Sequence, residues 1–428
     1  MLNKIIALAV VVVMSHTATT TFGQASRSPF TSQGIGDIYD MGLAHNKGMG
    51  GLGISNASYW HLNNINPALL PYNSLTVFSA AIIAENRSIE NSTGSETNGS
   101  GNLAYLATAF PVKPGKWTTS VGLMPYSNVD YQSQDTVGIT GAINGERALK
   151  ISAGTGGFNQ FYWSNGYAIN KNIFVGLKAA YIFSNIESDV AFDLVDQSGT
   201  FRRGQNERVS VSDFQFSGGL AFKKDSIFNN KIQLKLGLTY DFGANLNAEK
   251  FTSTELRTLD IPIVRDSLED VRGEIEIPKA LGFGISFNNG ARWMVGLDAK
   301  FQTWSNFRDF DGSNENLEDQ VKVILGGELT PDPTSVTSYF KRVTYRFGLS
   351  YENTPYQVAN LEGNFNQVNE FGINLGWSMP VSRISNLDFA ITYGVRGNVE
   401  DTIIQEEYFR FHLGMTFNDQ WFIKRKYN

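Results

Sequence analysis

Residues 231–243 read Lys-Ile-Gln-Leu-Lys-Leu-Gly-Leu-Thr-Tyr-Asp-Phe-Gly, a ribbon with two unlike faces. Side chains alternate across a strand, so Ile232, Leu234, Leu236, Leu238, Tyr240 and Phe242 share one face while Lys231, Lys235, Thr239 and Asp241 share the other. The pattern recurs over 174–184, 293–302, 342–352 and 408–417. Runs of this length exceed the roughly 5–6 residues of an ordinary globular strand. They match the roughly 9–11 that a tilted strand needs to cross a bilayer. A soluble sandwich shows the same alternation with its apolar face inward, so what precedes the first strand decides between the two.

An export signal precedes it. Lys4 comes before an apolar run, Ile5 to Met14, that is too short for a membrane span. Thr19-Thr20-Thr21-Phe22-Gly23 then offers small residues for cleavage near Gly23/Gln24, so 1–23 is expected to be a signal peptide. The chain has no cysteine, which excludes a lipoprotein anchor and suits an oxidising compartment. Beyond the signal, no apolar run reaches the ~20 residues of a membrane helix. The net charge of −6 is spread out and leaves no basic patch for nucleic acid. An exported chain of many long two-faced strands and no helical span is expected to be an all-β, antiparallel β-barrel of the bacterial outer membrane.

Fourteen strand-like segments fall between 74 and 417. Long connections at 85–102, 128–156, 188–207, 248–271, 305–318 and 354–366 alternate with short ones such as Asn170-Lys171-Asn172 and Asn288-Asn289-Gly290. Outer-membrane barrels have short periplasmic turns and long external loops, and an even strand count returns both ends to the periplasm. Residues 24–73 do not alternate. Their Gly and Asn content suits tight turns, and Met49, Leu52, Ile54, Tyr59, Trp60 and Leu62 are too apolar for a free tail. They are expected to form a plug inside the barrel, and 418–428 a basic, aromatic periplasmic tail.

No catalytic constellation is visible. His16, His45, His61 and His412 lack metal-ligand spacing, no Ser sits in a Gly-x-Ser-x-Gly elbow, and no cofactor is expected. Alternation turns Lys178, Lys235, Asp241, Asp298, Lys300, Arg346, Arg396, Arg410 and His412 inward. On the lipid face each Arg or Lys near the midplane would cost about 2–4 kcal/mol. These groups either wet the lumen and pin the plug, or Arg346, Arg396 and Arg410 together receive an acidic group. That group is a ligand carboxylate or a plug carboxylate such as Asp37 or Asp40, which the guanidinium fork suits. Gly156-Gly157 is a candidate bend in the wall.

Several motifs resemble the FadL-type outer-membrane transport proteins. Met49-Gly50-Gly51 followed by Asn66-Pro67-Ala68 is similar to that family's plug. Ile277-Pro278-Lys279-Ala280-Leu281-Gly282-Phe283-Gly284, leading to Trp304-Ser305, is similar to its proline-led strand and Trp-Ser pair, and Tyr345 to Pro355 to its late strand ending in Thr-Pro. The wording Gly34-Ile35-Gly36-Asp37 resembles the Bacteroidetes branch. The resemblance implies a 14-stranded barrel with an N-terminal plug, set in outer-membrane lipid and without enzymatic activity. It implies passive passage of a hydrophobic ligand such as a long-chain fatty acid. The branch also contains non-transporting barrels: PorV-type subunits of secretion machinery and barrels that accompany outer-membrane assembly complexes, whose partners are other outer-membrane proteins.

Overall fold

The computed structural model describes residues 27–419 apart from 93, 139–146, 195–201, 228–231, 259–260, 291, 361–362 and 383. The expected signal at 1–23, most of the expected tail, and Lys231 lie outside the described residues.

A two-residue strand, β1 (Asp37–Ile38), lies in the N-terminal segment. The wall begins with β2 (Thr76–Asn91), β3 (Gly94–Lys113), β4 (Trp117–Pro125), β5 (Ser127–Gly138), β6 (Arg147–Ala168), β7 (Ile173–Leu194) and β8 (Arg202–Ile227). It continues through β9 (Ile232–Asp241), β10 (Ala244–Thr258), β11 (Ile261–Ile277), β12 (Ala280–Asn289), β13 (Trp293–Gln302) and β14 (Gln320–Leu329). It ends with β15 (Thr344–Ala359), β16 (Phe365–Pro380), β17 (Ser385–Gly397) and β18 (Ile404–Asp419). Three wall strands are broken by a bend: β4/β5 at Tyr126, β9/β10 at Phe242-Gly243, and β11/β12 at Pro278-Lys279. The wall is therefore a closed 14-strand antiparallel barrel, sealed where β18 pairs with β2 and Asp419 lies opposite Thr76.

The two-faced ribbons separate as their chemistry requires. On β18, Phe409, Phe411, Leu413 and Met415 are exposed, while His412 and Thr416 are buried inward. On β9, Leu238 and Tyr240 face out and Lys235 and Thr239 face in. An apolar belt that encircles the molecule far exceeds the few hundred Å² of exposed apolar patch that a soluble monomer tolerates, so a bilayer must cover it.

Much of what the sequence suggests as long loops is strand. Residues 85–102 form the top of the β2–β3 hairpin, 128–156 hold β5 and half of β6, 188–207 extend β7 and β8, and 248–271 hold most of β10 and β11. Above the bilayer a strand needs no apolar face, so alternation fades while the backbone ladder continues. The segment 305–318 remains irregular beyond a short helical turn at Trp304–Asn306. The turns at 170–172 and Gly290 are tight.

The barrel interior is filled. Residues from the N-terminal segment, Phe30 and Ile35, pack with Trp304, Phe307 and Leu317 of the 303–319 loop and with Tyr356, Phe158 and Ile182 of the wall. This apolar cap closes the upper lumen. Leu43, Ala44, Leu62 and Leu70 form a second cluster with Val77, Tyr105 and Tyr162 farther down.

The wall has a seam beside β3. β3 pairs with β4 only from Leu106 downward, and above that level β5 pairs with β6 and with β1 of the N-terminal segment. Gly156 and Gly157 lie at this bend with φ of 125° and 141°, and a Cβ on either would meet wall backbone at 2.2–2.4 Å. Only glycine accepts that conformation and approach. Arg27 and Ser28 cross the seam. Ser28 donates its backbone N–H to the Asp130 carbonyl at 2.8 Å, and Asn98 donates Nδ2–H to the Arg27 carbonyl at 3.2 Å.

Candidate functional site

The lumenal segment is held to the wall by backbone contact first. Inward-facing glycines stand directly opposite one another on neighbouring strands: Gly166, Gly176 and Gly219 on β6, β7 and β8, and Gly296, Gly326 and Gly348 on β13, β14 and β15. The first ladder receives Asn66-Pro67-Ala68. A Cβ on Gly176 would lie 2.3 Å from the Pro67 carbonyl carbon, and one on Gly219 would lie 2.1 Å from Asn66 Oδ1. The second ladder receives Met49-Gly50-Gly51, where a Cβ on Gly348 would lie 2.2 Å from the Met49 carbonyl carbon. Gly51, at φ 95°, also leaves room for Asp40, whose Oδ2 would be 2.1 Å from any Cβ there. Asn66 locks its own turn. Its Oδ1 accepts from the Ala68 N–H at 3.0 Å, and its Nδ2–H donates to the carbonyls of Ile54 and Leu220.

Charge forms the second level of attachment. Asp37 accepts from Arg396 at 2.9 Å, Arg87 at 3.3 Å and Arg410 at 3.5 Å. Burial alone would raise the Asp37 carboxyl, but Arg396, Arg87 and Arg410 override it and hold the group well below the usual carboxylate range. Strand register explains why the guanidiniums stay in place. Arg410 lies opposite Glu85, and Arg396 lies opposite both Glu370 and Glu406. Arg410 Nε donates to Glu85 at 2.5 Å, Arg396 Nε to Glu370 at 2.5 Å, and Arg87 Nη1 to Glu406 at 2.7 Å. Ser28 Oγ donates to the other Glu406 oxygen, so the start of the lumenal segment is tied into the same network.

Farther down, Asp298 on β13 accepts the N–H groups of Gly53 and Ile54 at 2.7 and 2.8 Å. Asp40 lies 3.7 Å from Lys47 and 3.8 Å from Lys322. Near the short-turn end, His61 Nε2 lies 3.0 Å from Asp388, and Thr416 donates to the same carboxylate at 2.9 Å.

The three arginines singled out from the sequence thus divide. Arg396 and Arg410 lie on Asp37. Arg346 is elsewhere: it donates Nε–H to Glu328 at 3.0 Å and Nη1–H to Ser378, beside Asp388. All three face inward, but different heights along the axis keep them from sharing one acid. Glu85 and Arg87 escape a sequence reading that treats 85–102 as a loop. Continuing the period-2 alternation of β2 past Ile83 to Glu85 and Arg87 is the signal that would have found them. Lys235 reaches the lumenal segment directly, donating Nζ–H to the Ala57 carbonyl at 3.1 Å.

The space left inside is small. Two lumenal cavities measure ≈ 80 and ≈ 120 Å³. The first is lined by Asp37, Lys47, Glu352, Glu370, Arg396 and Arg410, the second by Asp40, Lys178, Asp241, Asp298 and Lys300 together with the apolar Ile38, Met41, Ile54, Ile65 and Ile324. Sites for drug-sized apolar ligands are usually about 300–1,000 Å³ and mostly apolar. Among the described residues, no group of three or more His, Cys, Asp or Glu side chains is placed to hold a metal ion.

Comparison with known proteins places this architecture. The family model described as BamG matches residues 1–428. No curated protein matches. Solved structures that share the fold include the CymD monoaromatic hydrocarbon channel, at 14% identity and a TM-score of 0.54 over 91% of this chain and 99% of that one. The Pseudomonas putida toluene transporter TodX aligns at 15% identity and a TM-score of 0.55, over 90% and 100% of the two chains. A Pseudomonas aeruginosa FadL homologue aligns at 12% identity and a TM-score of 0.56, over 89% and 99%. At these identities the likeness is one of fold.

Proposed function

The chain belongs to the BamG family, and from that premise we propose that it is a non-transporting FadL-like barrel of the outer membrane that serves as a subunit of a protein-assembly complex there. The observation that carries the reading is the occupied lumen. The plug touches the wall through backbone at two glycine ladders and is pinned by Asp37 to three arginines. The lumenal cavities found among the described residues measure ≈ 80, ≈ 120 and ≈ 20 Å³, each too small for a hydrophobic cargo. Passage would require the buried ion network to break. Removing one partner of a buried pair typically costs about 3–5 kcal/mol, and nothing in an apolar cargo compensates for an exposed guanidinium. The outer face, free of chemistry, is then available to lipid and to neighbouring barrels. No covalent reaction is assigned to the molecule.

The experiment is purification from native membranes in mild detergent. Stoichiometric recovery of other outer-membrane proteins supports the subunit reading. Recovery of the barrel alone under conditions that keep known membrane complexes intact counts against it.

A second reading is passive passage of a hydrophobic compound, as the FadL-type resemblance implies. The seam between β3 and β5 favours it, because the bend at Gly156-Gly157 leaves the wall unpaired where cargo could exit sideways. On this reading Arg27–Thr31 would have to vacate the seam. Barrel-dependent uptake of a long-chain fatty acid or an aromatic hydrocarbon is the discriminating result.

A further inference from the structure

A groove of ≈ 430 Å³ opens on the underside of the barrel, at the end that carries the short turns. Its floor is plug: Tyr59 and Tyr72, whose rings lie 6.2 Å apart, with Tyr72 packed on Phe174 at 5.1 Å. Tyr59 is 63% exposed and its neighbour Trp60 is 46% exposed, although both belong to a segment otherwise buried in the lumen. The rim is basic. Lys116 comes from the β3–β4 turn, Lys171 from the β6–β7 turn and Lys223 from the end of β8. Asp225 is the one acid among the lining residues, and it already pairs with Lys223 at 3.2 Å.

We infer that this groove docks an acidic segment of a water-soluble periplasmic protein partner, with an apolar side chain seated on Tyr59 and Tyr72 and carboxylates on the lysine rim. Exposed aromatic anchors ringed by charge of one sign are the composition of a protein contact, where Tyr and Trp carry much of the energy and charge selects the partner. Lipid is the weaker occupant. Bilayer headgroups flank the outer wall, whereas this floor lies inside the ring of strands and faces the water below it. The chain's own end is opposed by sign, since Lys424-Arg425-Lys426 repeats the charge of the rim. The inference deepens the subunit reading and rests on it by naming the chemistry of one partner.

The test uses the full-length barrel in detergent and two labelled peptides of equal length. One is rich in Asp and Glu with a central Phe, and the other has Lys in place of every acid. The acidic peptide is expected to bind at least roughly tenfold tighter, a difference of about 1.4 kcal/mol, and to weaken as salt rises. Lys116→Glu with Lys171→Glu should abolish the preference. Both residues sit on exposed turns, so the fold tolerates the change. Tyr59→Ala should weaken binding in either charge background. Equal binding of the two peptides overturns the inference, as does binding indifferent to these substitutions. Displacement of the acidic peptide by vesicles of phosphatidylglycerol, but not of phosphatidylcholine, would assign the groove to lipid and also overturn it. None of these outcomes touches recovery of outer-membrane partners from native membranes, so the two readings fail separately.

Discussion

Asp37 is the residue on which the plug's charge attachment converges. Its carboxylate meets guanidiniums from β2, β17 and β18, each already oriented by a cross-strand carboxylate. Asp37→Asn leaves those arginines facing a neutral amide in a buried site. It is expected to loosen the plug by about 3–5 kcal/mol, seen as faster protease cleavage within residues 27–73 while the wall stays folded. A second residue-scale effect depends on pH. Glu315, in the 303–319 loop, accepts the N–H of Gly34 and so ties that loop to the plug. Burial pushes its carboxyl up to about 7 from an ordinary 4.5, the Gly34 N–H partly opposes the rise, and Asp309 and Asp311 add to it. Because the closed loop holds this proton more tightly than the open one, closure is unpenalised below about 4.5. The penalty grows as pH rises and is complete above about 7. Corrected for the intrinsic pH dependence of amide exchange, the protection of Gly34 should therefore fall between those values and level off above them, and Glu315→Gln should remove that fall. Of these residues, Arg396, Arg410 and Asp37 were legible in the sequence, because alternation turns the arginines inward and Asp37 is one of two N-terminal carboxylates set against them. Glu315 was not, since nothing local distinguishes an acid that caps an amide distant in sequence from one that faces water.

At the scale of elements, the plug motifs and the wall glycines are two halves of one contact. Met49-Gly50-Gly51 and Asn66-Pro67-Ala68 stand out in the sequence as motifs, but their partners are single glycines dispersed over six strands. Register alone aligns them into ladders, so the pairing is visible only once the barrel is closed. Gly176→Ala and Gly348→Ala place a methyl about 2.2–2.3 Å from plug backbone. Backbone cannot rotate away as a side chain can, and overpacking of this kind costs roughly 1–3 kcal/mol. Each variant should lower the thermal unfolding midpoint, whereas Gly290→Ala, in an open turn with nothing nearby, should not change the plug's protease resistance. The strands themselves were legible wherever lipid demands an apolar face. They were lost above the bilayer, where the β2–β3, β7–β8 and β10–β11 hairpins continue on hydrogen bonds with no such demand.

The whole molecule is a wall built for lipid around an N-terminal segment that touches it at two glycine ladders. The fold was largely readable because export, strand length and parity all constrain it. What fills the lumen was not, because polar inward residues look the same whether they line a passage or bind a plug. If the lumen stays closed, no hydrophobic compound passes, and the chain's lack of cysteine makes this directly testable. Ile38 and Ser127 lie opposite one another on β1 and β5. Opposed antiparallel residues have Cα atoms about 4.5–5.5 Å apart, within the roughly 4.4–6.8 Å that a disulfide spans. An Ile38→Cys/Ser127→Cys variant can therefore bolt the plug to the wall when oxidised. The deciding measurement is uptake of labelled long-chain fatty acid and of toluene by cells that carry this variant, oxidised and then reduced. A closed lumen gives no barrel-dependent uptake in either state. Uptake that requires the barrel, stops on oxidation and returns on reduction would contradict it.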